Sequence, residues 1–216
     1  PICIATNFSQ GALATTGNVT DLGISGNGFF MVKDPSSSTL YATRDGAFRL
    51  DVSGYLITQN GLRVQGLIGG DATTAPAAVG DIRVGQVLPT GAELQSISFD
   101  RGGNLVEFFS DGTSYTTNRV QLQNFNDTSA LMRSGNNLYT ALGAAGPIGG
   151  GLLAGSNDPG TSGLGTIQSG VVEQSNVDLT AQFSELITTQ RSFQAGSRLI
   201  TVSDSVLEDV VNLKRS

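Results

Sequence analysis

The segment from residue 176 to the end constrains this chain most. Leu179, Leu186, Phe193, Ile200 and Leu207 follow one another at an unbroken seven-residue spacing, and Phe183, Gln190, Ser197, Asp204 and Val211 come four positions after each. A seven-residue repeat keeps one face of an α-helix turned toward a partner helix, so the spacing predicts a long C-terminal helix with a coiled-coil-like stripe. No proline interrupts it. Asn176 or Asp178 can cap its start by accepting from the free N–H groups of the first turn. Lys214 and Arg215 stand at its end, where cations favour the helix dipole. No other stretch has a comparable helical pattern, which implies a partner from another segment or another chain. Packing on its own domain is the alternative, because helices gain most of their stability from tertiary contacts. Gln190, Ser197 and Asp204 interrupt the stripe. They form either a water-facing edge or polar positions on the seam that fix register between chains.

The rest of the chain has a different period. Gly26-Asn27-Gly28 is a turn signal before the apolar run Phe29-Phe30-Met31-Val32. Arg44-Asp45-Gly46, Ser53-Gly54, Asn60-Gly61 and Asp111-Gly112 punctuate further short apolar runs, and the last two dipeptides are hairpin signals. The expected fold class is mainly β: a discontinuous β-rich domain of short strands and hairpins with a long C-terminal α-helix. Residues 1–66 and 92–175 are expected to form the β-rich domain. Residues 67–91 are rich in Gly, Ala and Thr with Pro76 and Pro89, and read as a short loop-like insertion with one possible strand, Asp81 to Val87. Removing that insertion is expected to leave a folded core. Gly143 to Gly165 reads as a low-complexity surface loop, and 176–216 as the helix.

Composition excludes several functions. The formal net charge is −6 and only 14% of residues are charged, with Lys at Lys33 and Lys214 alone. Phosphate neutralisation needs clustered Lys and Arg, so no nucleic-acid partner is expected. The chain has no His, no Trp and a single Cys, Cys3. His/Cys zinc sites, Ser–His and Cys–His nucleophile pairs and an internal disulfide are therefore ruled out. No apolar run approaches the roughly 20 residues that span a bilayer, so no membrane insertion is expected. No cofactor is expected. The chain starts at Pro1 without a Met, and a preceding segment is expected to be cut away.

The motifs, taken together, resemble a family. Asn7-Phe8-Ser9-Gln10-Gly11-Ala12-Leu13 leads through Thr16-Gly17-Asn18 to Asp21-Leu22, then to Gly26-Asn27-Gly28-Phe29-Phe30 and Thr43-Arg44-Asp45-Gly46-Ala47-Phe48. Later come Val120-Gln121-Leu122-Gln123-Asn124-Phe125, Gly135-Asn136-Asn137-Leu138-Tyr139, the run Gly170 to Leu179, and Thr189-Gln190-Arg191-Ser192-Phe193-Gln194. Over roughly residues 5–66 and 94–215 the chain resembles the axial proteins of the bacterial flagellum, the hook and rod family.

The resemblance implies a non-enzymatic structural subunit that polymerises into a helical tube. Its N- and C-terminal helices would pair as an inner tube, and the N-terminal helix is absent here. Partners would be copies of the chain itself and neighbouring axial proteins of the rod and of the hook–filament junction. Residues 67–91 are too short for the outer domain that hook proteins carry, which leaves a minimal hook protein or the distal rod protein. Gly61 to Gly66 and Val211 to Arg215 favour hook over rod. Localisation would be the extracellular hook or the basal body. The implied subunit interface runs along Leu179, Phe183, Leu186, Gln190, Phe193, Ser197, Ile200, Leu207 and Val211. A second class, a secreted oligomeric adhesin or binding module, would form closed oligomers rather than tubes.

Three sharper readings fail on spacing or setting. Gly23, Gly26 and Gly28 suggest a phosphate loop, but the Lys is missing and a strand follows. Asp100, Asn104 and Asp111 suggest calcium, but lack the ordered spacing of a cation loop. Glu173, Asp178 and Glu185 suggest a glycosidase pair, yet Trp sugar platforms are missing.

Overall fold

A computed structural model of the chain describes residues 8–71, 74–87, 89–153 and 157–213, with side chains on the helix followed to residue 208. Cys3, Asn7, Lys214 and Arg215 lie outside the described residues. The chain divides into two units, residues 1–175 and 176–216.

The first unit is built of short strands: β1 (Leu13–Thr15), β2 (Leu22–Ser25), β3 (Phe29–Lys33), β4 (Leu40–Thr43), β5 (Arg49–Leu50), β6 (Leu56–Ile57), β7 (Arg63–Ile68), β8 (Ala78–Asp81), β9 (Leu94–Phe99), β10 (Asn104–Phe109), β11 (Ser114–Val120), β12 (Leu122–Gln123), β13 (Met132–Gly135), β14 (Leu138–Thr140), β15 (Thr166–Ser169) and β16 (Val171–Glu173). The main sheet runs β13-β14-β4-β3-β7-β11-β10-β9, with β12, β5, β6 and β8 joined at its sides. Two antiparallel ribbons, β2 with β15 and β1 with β16, bring the last strands of the unit back onto the first.

Strand β3 explains the layering. Both its faces are buried, which is why it reads as a continuous apolar run rather than an alternation. Phe30 and Val32 enter a large core with Leu22, Ile24, Phe48, Leu56, Val64, Leu105, Val120, Leu122 and Ile167. Phe29 and Met31 face the other way, into a smaller core with Ala42, Phe125, Leu131, Leu142, Ala145 and Leu153. Each fully buried side chain of this size contributes roughly 1.5–3 kcal/mol. Phe8, Phe29, Tyr139 and Phe125 meet edge-on across the second core, with ring centroids 5.2 to 6.1 Å apart.

Two segments differ from the sequence expectation. Within 67–91, β8 pairs with β7 at Gln65↔Asp81 through Ile68↔Ala78, and Ile82 and Val84 enter the large core. The strand lies earlier than Asp81 to Val87: Gly80 stands opposite Gly66, and the Ile68 side chain packs where a Cβ at Gly80 would be. Segment 143–165 does not simply lie on the surface. Ala145, Leu153 and Asn157 are buried, and the Gln123 side chain binds the segment at three points: Nε2 donates to the Ile148 carbonyl, and Oε1 accepts from Leu153 N–H and Asn157 Nδ2. An aperiodic chain satisfies its polar backbone here through one buried amide.

The second unit is one helix, α1 (Leu179–Leu213), about 50 Å long at 1.5 Å per residue. Asp178 caps it, accepting from Thr180 N–H at 2.8 Å and Ala181 N–H at 3.3 Å. Ser184, Thr188 and Ser192 turn their hydroxyls back to carbonyls four residues earlier, so these polar side chains are satisfied within the helix. No helix among the described residues is long and apolar enough to cross a membrane.

Candidate functional site

The family motifs, scattered in sequence, converge at one end of the β unit. Gly26 and Gly28 adopt φ of +113° and +131°, which lets the turn before β3 aim its carbonyls at one point. Arg44 lies just beyond β4 and fills that point. Its Nη1 donates to the Gly28 carbonyl and its Nη2 to the Gly26 carbonyl, both at 3.1 Å. Its Nε donates to Glu173 Oε2 at 2.8 Å. Glu173, at the end of β16, also accepts from Gly11 N–H at 2.8 Å through Oε1. Gln10 completes the clasp: its Nε2 donates to the Ile24 carbonyl and its Oε1 accepts from Gly26 N–H. Both ion-pair side chains are largely buried, at 16% and 10% exposure. Beside them Leu13, Ala14 and Thr15 pair with Glu173, Val172 and Val171. Asp21 Oδ2 accepts from Thr16 Oγ1 and Asn18 Nδ2, fixing the turn that follows β1. The arrangement is a mechanical joint: it ties the segment entering the β unit to the segment leaving it.

Gly46 in the same motif is required by closeness. A Cβ there would stand 1.7 Å from the Leu22 carbonyl oxygen, so only hydrogen fits.

The stripe residues all lie on α1. Leu179, Phe183, Leu186, Gln190, Phe193, Ser197, Ile200 and Leu207 are exposed, Phe193 at 79%. The side chain of Val211 lies outside the described residues. Ile187, Leu199, Val202 and Val206 are exposed apolar residues on the same helix that the seven-residue template does not include. Leu199, Val202 and Val206, three and four residues apart, fall on a different face of the helix from Leu179, Phe183 and Leu186.

The sharper sequence candidates have structural duties. Asp100 accepts from Asn104 N–H and Nδ2, and Asp111 from Thr113 N–H and Oγ1, so both shape hairpin turns. The hydrogen bonds from Thr113 hold the Asp111 carboxyl below its ordinary range. Glu173 is the partner of Arg44, and Asp178 caps α1. No cluster of three metal-ligating side chains occurs among the described residues. A cleft of about 180 Å³ between Thr43, Asp45, Thr58, Asn60, Asn136 and Asn137 is lined by amides and hydroxyls around one carboxylate.

One polar core residue escapes sequence reasoning. Glu107 is fully buried on β10 between Leu105 and Phe109, which face the same way. Its Oε1 accepts from Gly85 N–H at 2.9 Å and Thr117 Oγ1 at 3.0 Å, while its Oε2 has no donor among the described residues. Burial pushes its carboxyl above the ordinary range, against the two hydrogen bonds. The alternation Leu105-Val106-Glu107-Phe108-Phe109 carries the signal, since Glu107 falls on the inward register.

Comparison with known proteins agrees with these motifs. Residues 23–106 match the family model described as the flagellar hook protein FlgE/F/G D1 domain. Residues 168–213 match that of the flagellar basal body rod FlgEFG protein C-terminal. The chain is 35% identical over 212 residues to the flagellar basal-body rod protein FlgG of Bacillus subtilis (strain 168), covering 98% of this chain and 72% of that protein. The FlgG of Buchnera aphidicola subsp. Baizongia pistaciae is 30% identical over 96% of this chain and 70% of its own length. The flagellar hook protein FlgE of Borreliella burgdorferi is 35% identical, over 56% of this chain and 26% of its own length. These relatives are structural proteins of the flagellum rather than enzymes. The chain belongs to the flagellar hook and rod axial protein family.

Proposed function

We propose that the chain is a subunit of the distal rod of the flagellar basal body, polymerising through helix α1 into a helical tube that carries torque. The observation that supports rod over hook is coverage. Relatives named rod proteins align along nearly the whole chain, including 67–91, whereas the hook relatives align over 56% of it. The folding of 67–91 into β7, β8 and the large core also favours this reading, because no outer domain separates from the unit at that place. Leu179, Phe183, Leu186, Gln190, Phe193, Ser197, Ile200, Leu207 and Val211 bury against helices of neighbouring copies, and adjacent axial proteins meet the ends of the assembly. Heterologous contacts that do not close build open helical assemblies of this kind.

The test is location. An epitope-tagged chain, expressed in its own motile cells, is followed by immunogold labelling of purified hook–basal bodies. Label confined to the rod is expected. Label along the curved hook would replace this reading with the hook alternative, and closed oligomers away from the flagellum would favour an adhesin.

A further inference from the structure

Two hairpin turns line one polar cleft beside β4. Asn60 belongs to the turn between β6 and β7, and Asn136 and Asn137 form the turn between β13 and β14. Thr43 at the end of β4, and Asp45 and Ala47 just after it, complete the wall with Leu138. The backbone of the turns is fixed: Gly61, Asn136 and Asn137 hold φ of +79°, +49° and +58°. The left-handed conformation accounts for asparagine at 136 and 137, and it leaves their amides free. At Asn60 the positive φ falls on the next residue, so the turn does not require an amide there.

The polar groups of this cleft are largely without internal partners. The side-chain amides of Gln59, Asn60, Asn136 and Asn137 form no hydrogen bond among the described residues. Asp45 uses Oδ1 to accept from Ala47 N–H at 3.1 Å, and its Oδ2 has no partner among them. Thr43 and Thr58 are buried at the floor. Their hydroxyls accept from Asp45 N–H at 3.0 Å and Leu62 N–H at 3.2 Å, and their own protons remain to donate. The cleft therefore presents donors and acceptors side by side, with one negative charge and no cation. An anion would meet only repulsion from Asp45. A hydroxyl, which donates and accepts at one atom, matches this lining: it gives its proton to Asp45 Oδ2 or an amide carbonyl, and receives one from an amide or a threonine.

We propose that the cleft binds a neutral polyhydroxyl ligand, a single sugar ring. At about 180 Å³ it is smaller than the roughly 300–1,000 Å³ of sites for drug-sized molecules, which limits the occupant to one ring. Asp45 and the amides hold neighbouring hydroxyls, and Ala47 and Leu138 supply the apolar wall against which the ring's C–H face rests. Turn backbones that are already fixed lose little freedom on binding. Glycoside cleavage needs a pair of carboxylates, and the cleft offers Asp45 alone, so the site binds without breaking a bond. It is built from the β unit and does not depend on the axial reading.

The test is an NMR titration of the isotope-labelled full chain with glucose, galactose and mannose, with lysine and sulfate as charged comparisons. Saturable shifts of the Asn60, Asn136 and Asn137 side-chain amides are expected with at least one sugar, with a Kd on the order of 1 mM, and none with sulfate. Asp45→Asn is expected to weaken binding about tenfold or more, since a hydrogen bond to a charged group is lost. Asn137→Gly keeps the left-handed turn and is expected to weaken binding about fivefold. Thermal melting of both variants checks that the β unit is intact. Shifts that fail to saturate with every sugar would overturn the proposal. Saturation that neither variant alters would place the sugar elsewhere and overturn it as well. Tighter binding of lysine than of any sugar would make the cleft a cation site and replace the proposed ligand.

Discussion

Arg44 and Glu173 are 129 residues apart in sequence and 2.8 Å apart in space. The guanidinium that satisfies the Gly26 and Gly28 carbonyls is itself held by a carboxylate on the last strand of the unit. Glu173→Ala leaves a largely buried guanidinium without its counter-charge and Gly11 N–H without its acceptor. A loss of about 2–4 kcal/mol is expected, between that of a charged hydrogen bond and that of a broken buried pair. Urea unfolding of the single and double variants with Arg44→Ala measures it, and a coupling energy near zero would show that the two residues act separately.

Glu107 predicts an unusual pH response. Its carboxyl is raised by burial, so the folded state binds its proton more tightly than the unfolded chain does. This group's contribution is fully present below the unfolded-state value and is lost as pH rises through the folded-state value. Glu107→Gln keeps the acceptor for Gly85 N–H and Thr117, and replaces the unpartnered Oε2 with an amide nitrogen that carries no titrating charge. The variant is expected to melt higher than the wild type at pH 7 and about level with it at pH 4. Melting curves across that range decide it; an equal gap at both ends would exclude titration as the cause.

Ile82 tests whether 67–91 can be removed. The side chain is fully buried in the large core, and Leu67 and Val84 are buried with it. Ile82→Ala is expected to cost about 2–5 kcal/mol, and deletion of 67–91 to abolish cooperative unfolding. A deleted chain with a sharp melting transition would return the segment to the status of a dispensable loop.

Phe193 tests the helical stripe. Phe193→Asp leaves the β unit's melting unchanged and places a charge where the proposed helix seam excludes water, which is costly. Folded subunits that no longer enter basal bodies, in non-motile cells, are expected. Normal motility would remove Phe193 from the assembly face.

The parts legible in sequence are those with local causes. Asn60-Gly61 turns β6 into β7, and Asp111-Gly112 turns β10 into β11, because the conformation each turn needs is written in two residues. The period of Leu186 and Phe193 gives a helix because it is a property of one segment. The Arg44–Glu173 clasp, the Gln123 anchor of 148–157 and the burial of Ile82 were not legible. Each depends on which distant strands become neighbours, and a single sequence carries no direct mark of that. Residues 143–165 misled for a related reason: Gly and Ala are as fit for packing against an amide as for a solvent loop.

The short ladder of β1 and β16 sets how the β unit bears load. Leu13 pairs with Glu173, and Thr15 with Val171, so both chain segments leave the unit from the same end of the ladder. Force that drew them apart would open the rungs one after another, as in a zipper, beginning at the Gln174 N–H to Ala12 carbonyl bond just outside Leu13–Glu173. Force that moved them together would leave the ladder unstretched. The Glu173 carboxylate that Arg44 grips also accepts from Gly11 N–H on the other segment, so this side chain clamps the two strands at the end where peeling would begin.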